Sequence, residues 1–279
     1  MLEISQTNSK VGAIAEGVDV RTMSEEDFSK LYNAWLERNV LIVRGQNLDL
    51  GEFLAYSKRF GVIDPHPSKS TRHPDCPEIT LLGVNKFDAG GKLNEAIYKR
   101  GASGWHTDGA YDPVPFKATQ LYGVAIPSRG GNTLFASMYA AYEALPENLK
   151  QRIAGRVGAY VYGGRRQATA LLNAEDRSKP PALHPLARKH PETGRTGLYF
   201  DPGKILRIEG LPDEESSALI DELTTYMVQP EAEYHHQWKK GDIVIWDNRC
   251  SYHKAAGDYP PEEDRIHWRV SIKEPRSLH

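Results

Sequence analysis

Two histidines and an aspartate that lie far apart in the chain constrain its fold more than any other sequence feature. His106 and Asp108 are separated by one residue, whereas His253 comes near the C-terminus. On an extended strand, residues i and i+2 project from one face, so His106 and Asp108 can bind one ion together. His253 must then come from a second strand that the fold brings alongside. Two imidazoles and one carboxylate are the ligand set of non-haem Fe(II) sites, although zinc accepts the same ligands.

Two arginines follow His253 at a spacing that also suits a strand. Arg265 and Arg269 are four residues apart, and an even separation places both on one face of a strand. The planar fork of a guanidinium binds a carboxylate through two parallel hydrogen bonds. An arginine placed after the last ligand therefore suits a dicarboxylate that reaches the metal.

The ordered set of motifs resembles the TauD/TfdA group of Fe(II)/2-oxoglutarate-dependent dioxygenases. The matching segments run from about residue 10 to residue 275, so the resemblance covers nearly the whole chain. They are Trp105-His106-Thr107-Asp108, Pro127-Ser128-Arg129-Gly130-Gly131-Asn132-Thr133, Ala140-Ala141-Tyr142-Glu143-Ala144-Leu145-Pro146, His184-Pro185-Leu186, His190-Pro191-Glu192-Thr193-Gly194-Arg195, Trp246-Asp247-Asn248-Arg249 and the Arg265/Arg269 pair.

The resemblance implies a set of cofactors and the residues that hold them. Fe(II) is expected on His106, Asp108 and His253, with 2-oxoglutarate as cosubstrate and O2 as oxidant. The far carboxylate of 2-oxoglutarate is expected on Arg265 and Thr133. The expected reaction is hydroxylation of a substrate carbon, coupled to release of succinate and CO2.

The resemblance also implies an anionic substrate. The family's second arginine, which holds the acid group of the substrate, corresponds to Arg269, and His66 stands where taurine dioxygenases have a sulfonate-contacting histidine. The asparagine that those enzymes place four residues before the first ligand is Ala102 here, which argues against taurine itself. Related halogenases have a small residue at the carboxylate position, so Asp108 favours hydroxylation or a related oxidation such as desaturation. A taurine-like sulfonate or an aryloxyalkanoate is the expected substrate class.

Length and composition are consistent with one enzyme domain in a reducing compartment. The 279 residues carry a net charge of −2 and two cysteines. This composition predicts no nucleic-acid partner, no membrane association and no disulfide framework. We expect a single domain over 1–279, a cytoplasmic location and, from the resemblance, a homodimer or homotetramer. The segments near 85–104 and 164–196 are rich in glycine, proline or charge, and we expect them to act as lids.

The predicted elements are many short strands preceded by helices. Apolar spacing predicts helices over 24–38, 53–60, 139–145, 146–153 and 212–227. Strands are predicted over 40–43, 79–84, 243–246 and 266–272, with two more within 117–136. This order predicts a mainly β fold with flanking helices, namely a double-stranded β-helix of the jelly-roll, cupin-like type.

Two other functions remain open at this level. A cupin-type Zn or Mn metalloenzyme could use the same three ligands for non-oxidative lyase or hydrolase chemistry. A non-catalytic protein that binds a small ligand could also retain them. Arg265 and Thr133 favour the dioxygenase over both.

Overall fold

A sheet of nine strands forms the largest element of the computed structural model, which describes residues 1–66, 69–84, 86–98, 104–166 and 179–273. Its strands are β1 (Glu3–Gln6), β2 (Ala13–Glu16), β3 (Val40–Val43), β4 (Val62–Ile63), β5 (Arg72–His73), β6 (Cys76–Leu82), β7 (Phe116–Ala125), β15 (Ile243–Asp247) and β17 (Ile266–Lys273). The order is β1-β2-β3-β15-β7-β17-β6-β5, and β4 pairs with β17. Every pairing is antiparallel except β2 with β3.

Apolar residues on both faces of the central strands explain why this sheet lies inside the protein. All four residues of β3 and all five of β15 are buried. Leu41 and Ile245 face a cluster that the helices cover, whereas Ile42 and Val244 face a second cluster on the other side. Strands buried on both faces form near-continuous hydrophobic runs, as these do.

Two N-terminal helices cover the outer face of the large sheet. Helix α1 (Glu25–Arg38) begins after Ser24, whose side chain accepts a hydrogen bond from the Asp27 backbone N–H. Helix α2 (Leu50–Lys58) begins with a reciprocal capping box between Asp49 and Glu52, which the sequence analysis did not anticipate. The helices bury apolar residues such as Trp35 and Phe53 against the sheet.

A smaller sheet packs on the inner face. Its strands are β8 (Thr133–Ser137), β14 (Glu233–His236) and β16 (Ser251–Ala255), in the order β14-β8-β16. Phe135 of β8 lies in one cluster with Trp246 of β15, at a ring-centroid distance of 5.4 Å. Two facing sheets with helices outside form the predicted jelly roll.

A helical and β-rich region packs against β8 and β16 of the small sheet. It contains α4 (Met138–Glu143), α5 (Glu147–Ile153), β9 (Val157–Tyr160), β10 (Ala182–Pro185), β11 (Ala187–Lys189), β12 (Thr196–Leu198), β13 (Ile205–Ile208) and α6 (Asp213–Thr224). Leu186, Leu198 and Ile205 are fully buried in its core.

The described parts of the two expected lid segments contain regular secondary structure. In the second segment, Ala182–Pro185 and Ala187–Lys189 form strands, and His184 and His190 are buried. The first segment contains a short helix, α3 (Glu95–Tyr98), which is not among the predicted helices. Positions 85, 99–103 and 167–178, with Ala102 among them, lie outside the described residues. The lid function and the single domain stay predictions. Within the described residues, no helix has the length and apolarity to cross a membrane.

Candidate active site

The three predicted metal ligands lie together at one edge of the small sheet. Ligand atoms of His106, Asp108 and His253 all lie within 4.8 Å of one another. The backbones of His106 and His253 form an isolated antiparallel bridge, with N–O distances of 3.1 and 2.8 Å in the two directions. The pairing of His106 with β16 is thus what joins the distant parts of the triad.

The local conformation of the first two ligands differs from the expectation. His106 makes a single bridge and Asp108 starts a turn, so the two do not lie on a regular strand. Gly109 follows at φ +76°, and a Cβ there would come within 2.7 Å of the Phe116 ring. This turn keeps Asp108 beside β7, whereas a strand that continued past Asp108 would carry the chain away from β7.

Hydrogen bonds orient the ligands. Nδ1 of His106 lies 3.0 Å from the Gly104 carbonyl, which suits an Nδ1–H tautomer and leaves Nε2 for a metal. The Thr119 hydroxyl donates to Oδ2 of Asp108 at 2.7 Å. Burial lowers the pKa of His253 to about 3, aided by the nearby His106, so this imidazole is neutral and suited to metal coordination.

The carboxylate of Asp108 is held in its charged form. Burial acts to raise its pKa, but Arg269, His253, His106 and the hydrogen bond from Thr119 together hold the pKa well below its usual range. Arg269 on β17 lies 3.0 Å from Oδ2 of Asp108. The group therefore offers a carboxylate and two imidazoles at one point, a donor set that fits Fe(II).

Asn248 is a buried connector that the sequence analysis missed. It is fully buried in the turn after β15, and its Oδ1 accepts from the Asp108 backbone N–H at 3.3 Å. Its Nδ2 donates to the Thr119 hydroxyl at 3.0 Å, and its carbonyl accepts from Thr107 at 2.8 Å. Asn248 thus fixes both the backbone of the ligand segment and the hydroxyl that reaches Asp108. Its place in Trp246-Asp247-Asn248-Arg249 was the signal that could have identified it.

The residues predicted to hold a dicarboxylate also meet. Arg265 immediately precedes β17, and its Nη2 donates to the Thr133 hydroxyl at 3.2 Å, while its Nε donates to the Gly131 carbonyl at 2.7 Å. Gly131 has φ +69°, and a Cβ there would press on Arg265 and Pro127 at 3.0–3.2 Å. The glycine is therefore required for the close approach of this arginine.

Arg265 has no carboxylate partner among the described residues. The side chain is partly buried, and burial lowers its pKa to about 10, although Tyr259 and Asp258 act in the opposite direction. A cation removed from water without a counter-ion is costly, and an anionic ligand would remove that cost. Arg265 and Thr133 therefore fit the far carboxylate of a bound dicarboxylate.

Two aromatic residues that the sequence analysis did not assign lie beside this pair. Trp238 donates from Nε1 to the Thr133 hydroxyl at 3.0 Å, so that hydroxyl accepts two hydrogen bonds and keeps its proton to donate. His267 packs on Trp238 at a centroid distance of 4.3 Å, is fully buried, and has no hydrogen-bond partner in the described structure. Trp238 therefore orients the Thr133 hydroxyl toward a ligand.

The structure places His66 in the loop after β4. Its Nδ1 lies 3.2 Å from the Thr71 hydroxyl, and its carbonyl accepts from Arg72 at 2.7 Å. Lys273 links this loop to the metal segment, since its ammonium lies 3.1 Å from Asp64 and 2.9 Å from Asp112. The assignment of His66 to the substrate stays a prediction.

A second cluster of metal-type ligands, His190, Asp247 and Cys250, is structural. Arg249 forms two hydrogen bonds with Asp247, at 2.8 and 2.6 Å, and His190 lies 3.0 Å from the same carboxylate. With both oxygens of Asp247 engaged, the cluster serves to hold the turn that carries Asn248.

Comparison with known proteins gives the same family as the site. Residues 3–271 match the model of the taurine catabolism dioxygenase TauD, TfdA family. The chain belongs to this family. It is 32% identical to an (S)-phenoxypropionate/alpha-ketoglutarate-dioxygenase of Sphingobium herbicidovorans, with 97% of this chain and 94% of that protein covered. It is 30% identical to the alpha-ketoglutarate-dependent 2,4-dichlorophenoxyacetate dioxygenase of Burkholderia sp. (strain RASC), over 84% and 81% of the two chains.

A solved structure of a family member has the same fold. A taurine dioxygenase from Burkholderia xenovorans superposes with a TM-score of 0.80 at 27% identity, covering 98% of this chain and 90% of that one. The predicted family, jelly-roll fold and enzyme class are confirmed. The protein is a dioxygenase that depends on Fe(II), 2-oxoglutarate (alpha-ketoglutarate) and O2, as predicted.

Proposed function

We propose that this dioxygenase hydroxylates a small organic anion, with an aryloxyalkanoate carboxylate as the first candidate and a sulfonate as the second. The observation that carries the proposal is the position of Arg269, which is partly buried and lies 3.0 Å from the carboxylate of Asp108. A cation beside the metal ligands will attract an acid group to the place where oxidation occurs. The names of the two relatives, which act on phenoxypropionate and dichlorophenoxyacetate, favour the aryloxyalkanoate.

In this proposal each group has a separate part. His106, Asp108 and His253 would hold the iron, and Arg265 with Thr133 would hold the far carboxylate of 2-oxoglutarate. When bound, Fe(II) and 2-oxoglutarate would supply, together with O2, an oxidant for a C–H bond. The 2-oxoglutarate would be converted to succinate and CO2. Arg269 would then orient the substrate by its acid group, so that one carbon faces the iron.

The arrangement disfavours the two alternative functions. A non-oxidative Zn or Mn enzyme would need the three ligands but would leave the unpaired Arg265 and its hydrogen-bonded Thr133 without a purpose. A protein that only binds a ligand would not need a donor set matched to a redox metal. Family membership favours the dioxygenase over both.

The proposal is tested by measuring substrate-stimulated succinate release under air with Fe(II) and 2-oxoglutarate. The panel contains (S)-2-phenoxypropionate, phenoxyacetate, 2,4-dichlorophenoxyacetate, taurine and 1-hexanesulfonate, each beside a neutral counterpart such as 2-phenoxypropanamide. Hydroxylation of the carbon between ether oxygen and carboxylate gives a hemiketal or hemiacetal, which breaks to a phenol and an oxo acid. We expect phenol and succinate in equal amounts from at least one aryloxyalkanoate, and none from its amide. Stimulation by the neutral compounds but by none of the acids would contradict the anion proposal.

The cytoplasmic location and the dimer or tetramer expected from the sequence remain predictions. Size-exclusion chromatography with light scattering measures the second directly. A monomer at micromolar concentration would contradict it.

A further inference from the structure

A half-buried lysine lies in a turn that is hydrogen-bonded to the metal-binding segment, and it takes no part in the site described so far. Lys204 follows β12 in a tight turn, in which its backbone N–H donates to the carbonyl of Asp201 at 3.0 Å. The side chain of Asp201 is fully buried and accepts from the backbone N–H of Thr107 at 3.4 Å. Thr107 lies between His106 and Asp108, so this turn is attached directly to the metal-binding segment.

Two tyrosines, Tyr111 and Tyr162, lie next to the side chain of Lys204. The ring of Tyr111, three residues after Asp108, meets the ring of Tyr162 edge-on at 5.3 Å. The ammonium of Lys204 lies 4.1 Å from the Tyr162 ring centroid and 5.7 Å from that of Tyr111. All three side chains are partly buried. The two rings therefore form an aromatic wall, with the ammonium of Lys204 in contact with Tyr162.

Most of the hydrogen-bonding capacity of Lys204 is unused. Its ammonium donates to the Tyr162 carbonyl at 2.8 Å, and the described residues supply no other acceptor and no carboxylate within 4 Å. An ammonium has three N–H donors, so two remain for a ligand. The carboxylate of Asp201 does not fill this role, because it accepts from the backbones of Thr107 and Gly203.

The electrostatic effects on Lys204 and Tyr111 agree with a position of both residues near the metal ligands. Burial lowers the pKa of Lys204, while Asp201 and Asp108 act to raise it. Burial raises the pKa of Tyr111 to about 12, with a further contribution from Asp108 and an opposite one from Arg269. Asp108 thus acts on both Lys204 and Tyr111.

We propose that Lys204 binds a second anionic group of the substrate, at the opposite end from the acid group held by Arg269, while Tyr111 and Tyr162 pack against the body of the substrate between them. The inference rests on the proposed function and narrows its substrate class to small acids that carry a second anionic oxygen, such as an aryloxyalkanoate with a carboxylate on its ring. Arg269 is assigned to the first acid group of the substrate, and Arg265 is assigned to the cosubstrate. Lys204 is the cation of this wall that still lacks a counter-ion in the described structure.

The test compares phenoxyacetate with 4-carboxyphenoxyacetate and 3-carboxyphenoxyacetate in wild type, Lys204→Met and Lys204→Arg. Lys240→Met is the matched control, because Lys240 is exposed and makes no polar side-chain contact within the described ranges. Equilibrium dissociation constants are measured by calorimetry on protein loaded with Mn(II) and N-oxalylglycine, which gives a readout without turnover. Kinetic constants for succinate release are measured in parallel.

In wild type and Lys240→Met we expect at least one ring-carboxylated acid to bind at least tenfold more tightly than phenoxyacetate. Lys204→Met should abolish this preference, and Lys204→Arg should keep most of it. If the ring carboxylate brings no gain in wild type, or if Lys204→Met keeps the gain, the Lys204 proposal is overturned while turnover of phenoxyacetate leaves the proposed function standing. If none of the three acids binds or is turned over, while the neutral amides are, both proposals are overturned.

Discussion

The guanidinium of Arg269 and the carboxylate of Asp108 form an ion pair at 3.0 Å, although the two residues lie on different elements that meet only in the folded protein. Arg269 belongs to β17, and Asp108 to the turn after His106. The carboxylate that belongs to the metal site is therefore also the group that holds the proposed substrate arginine in place.

Replacing Arg269 by Met should raise the KM for the acidic substrate at least tenfold, because the stem is kept while the charge is lost. The KM for the cosubstrate should change by no more than about twofold, since Arg265 and not Arg269 contacts Thr133. Arg269→Lys is the control that keeps a charge without the fork. Wild-type KM for the acid in Arg269→Met would contradict the assignment.

Replacing Arg265 by Ala should weaken the apparent affinity for the cosubstrate, measured as its KM, by about two decades or more. Removal of one partner of a desolvated charge pair typically costs about 3–5 kcal/mol. Arg265→Lys should also be poor, because an ammonium cannot reach both Gly131 and Thr133 as the guanidinium does. The measurement is succinate release over a range of 2-oxoglutarate concentrations. Unchanged kinetics in Arg265→Ala would exclude this role and would make Arg269 the cosubstrate candidate.

Thr119→Val should weaken Fe(II) binding about tenfold while keeping the fold. The hydroxyl of Thr119 donates to Asp108 and accepts from Asn248, so valine keeps the shape and removes the link between them. Loss of an outer-shell partner of a metal ligand typically costs about 10–100-fold in affinity. Thr80→Val, at another buried threonine of the same sheet, is the control. Equilibrium dialysis of Fe(II) under nitrogen measures the effect, and equal affinities in the two variants would refute it.

Stability should fall as the pH drops from 7 to 5, in part because of His184. Burial lowers the pKa of this histidine to about 4, and its Nε2 lies 3.1 Å from the carbonyl of Asp112. The pKa of His184 is 6.5 in the unfolded chain and about 4 in the folded protein, so between these pH values the unfolded chain binds the extra proton. The contribution of His184 to the free energy of unfolding is therefore fully present above pH 6.5 and is lost as the pH falls towards 4. By linkage the loss at pH 5 is about 2 kcal/mol.

Urea unfolding of the metal-free protein at pH 7.5 and pH 5.0 measures this dependence. His184→Gln should reduce the difference between the two pH values by most of that amount. His235→Gln should not, because His235 is exposed and pairs with Glu233 on the surface. The same pH dependence in His184→Gln and wild type would show that other groups are responsible.

The sequence predicted the elements well where apolar periodicity was strong and local. The range 40–43 coincides with β3, and 24–38 differs from α1 by one residue at its start, because the buried run of β3 and the N-cap Ser24 are determined by neighbours in sequence. The strands β10–β12 were missed because their burial comes from contacts with β9 and α4 rather than from their own polar and proline-bearing sequence. The formation of such strands depends on tertiary packing, which cannot be read from the local sequence pattern.

The sequence likewise predicted some features of the site and missed those that depend on tertiary structure. The sequence predicted the triad from residue types and spacing, and it implied the Arg265–Thr133 pair through the resemblance to the TauD/TfdA family. It did not predict the turn at Asp108 or the connector role of Asn248, since both depend on how β15 and β7 are placed side by side. It also missed Lys204, because an isolated lysine after a strand is ordinary in sequence and becomes unusual only when its burial and its missing counter-ion are known.

The most direct test of the central claim is an anaerobic titration of the metal-free protein with Fe(II) in the presence of 2-oxoglutarate, followed by visible absorption. Chelation of Fe(II) by the keto acid in a site of two imidazoles and one carboxylate gives a metal-to-ligand charge-transfer band. We predict such a band in wild type, saturating at one iron per chain, its absence in folded His253→Ala, and its appearance in Arg265→Ala only at much higher cosubstrate concentration. A wild-type protein that binds iron without the band, or a His253→Ala variant with the wild-type band, would contradict the account.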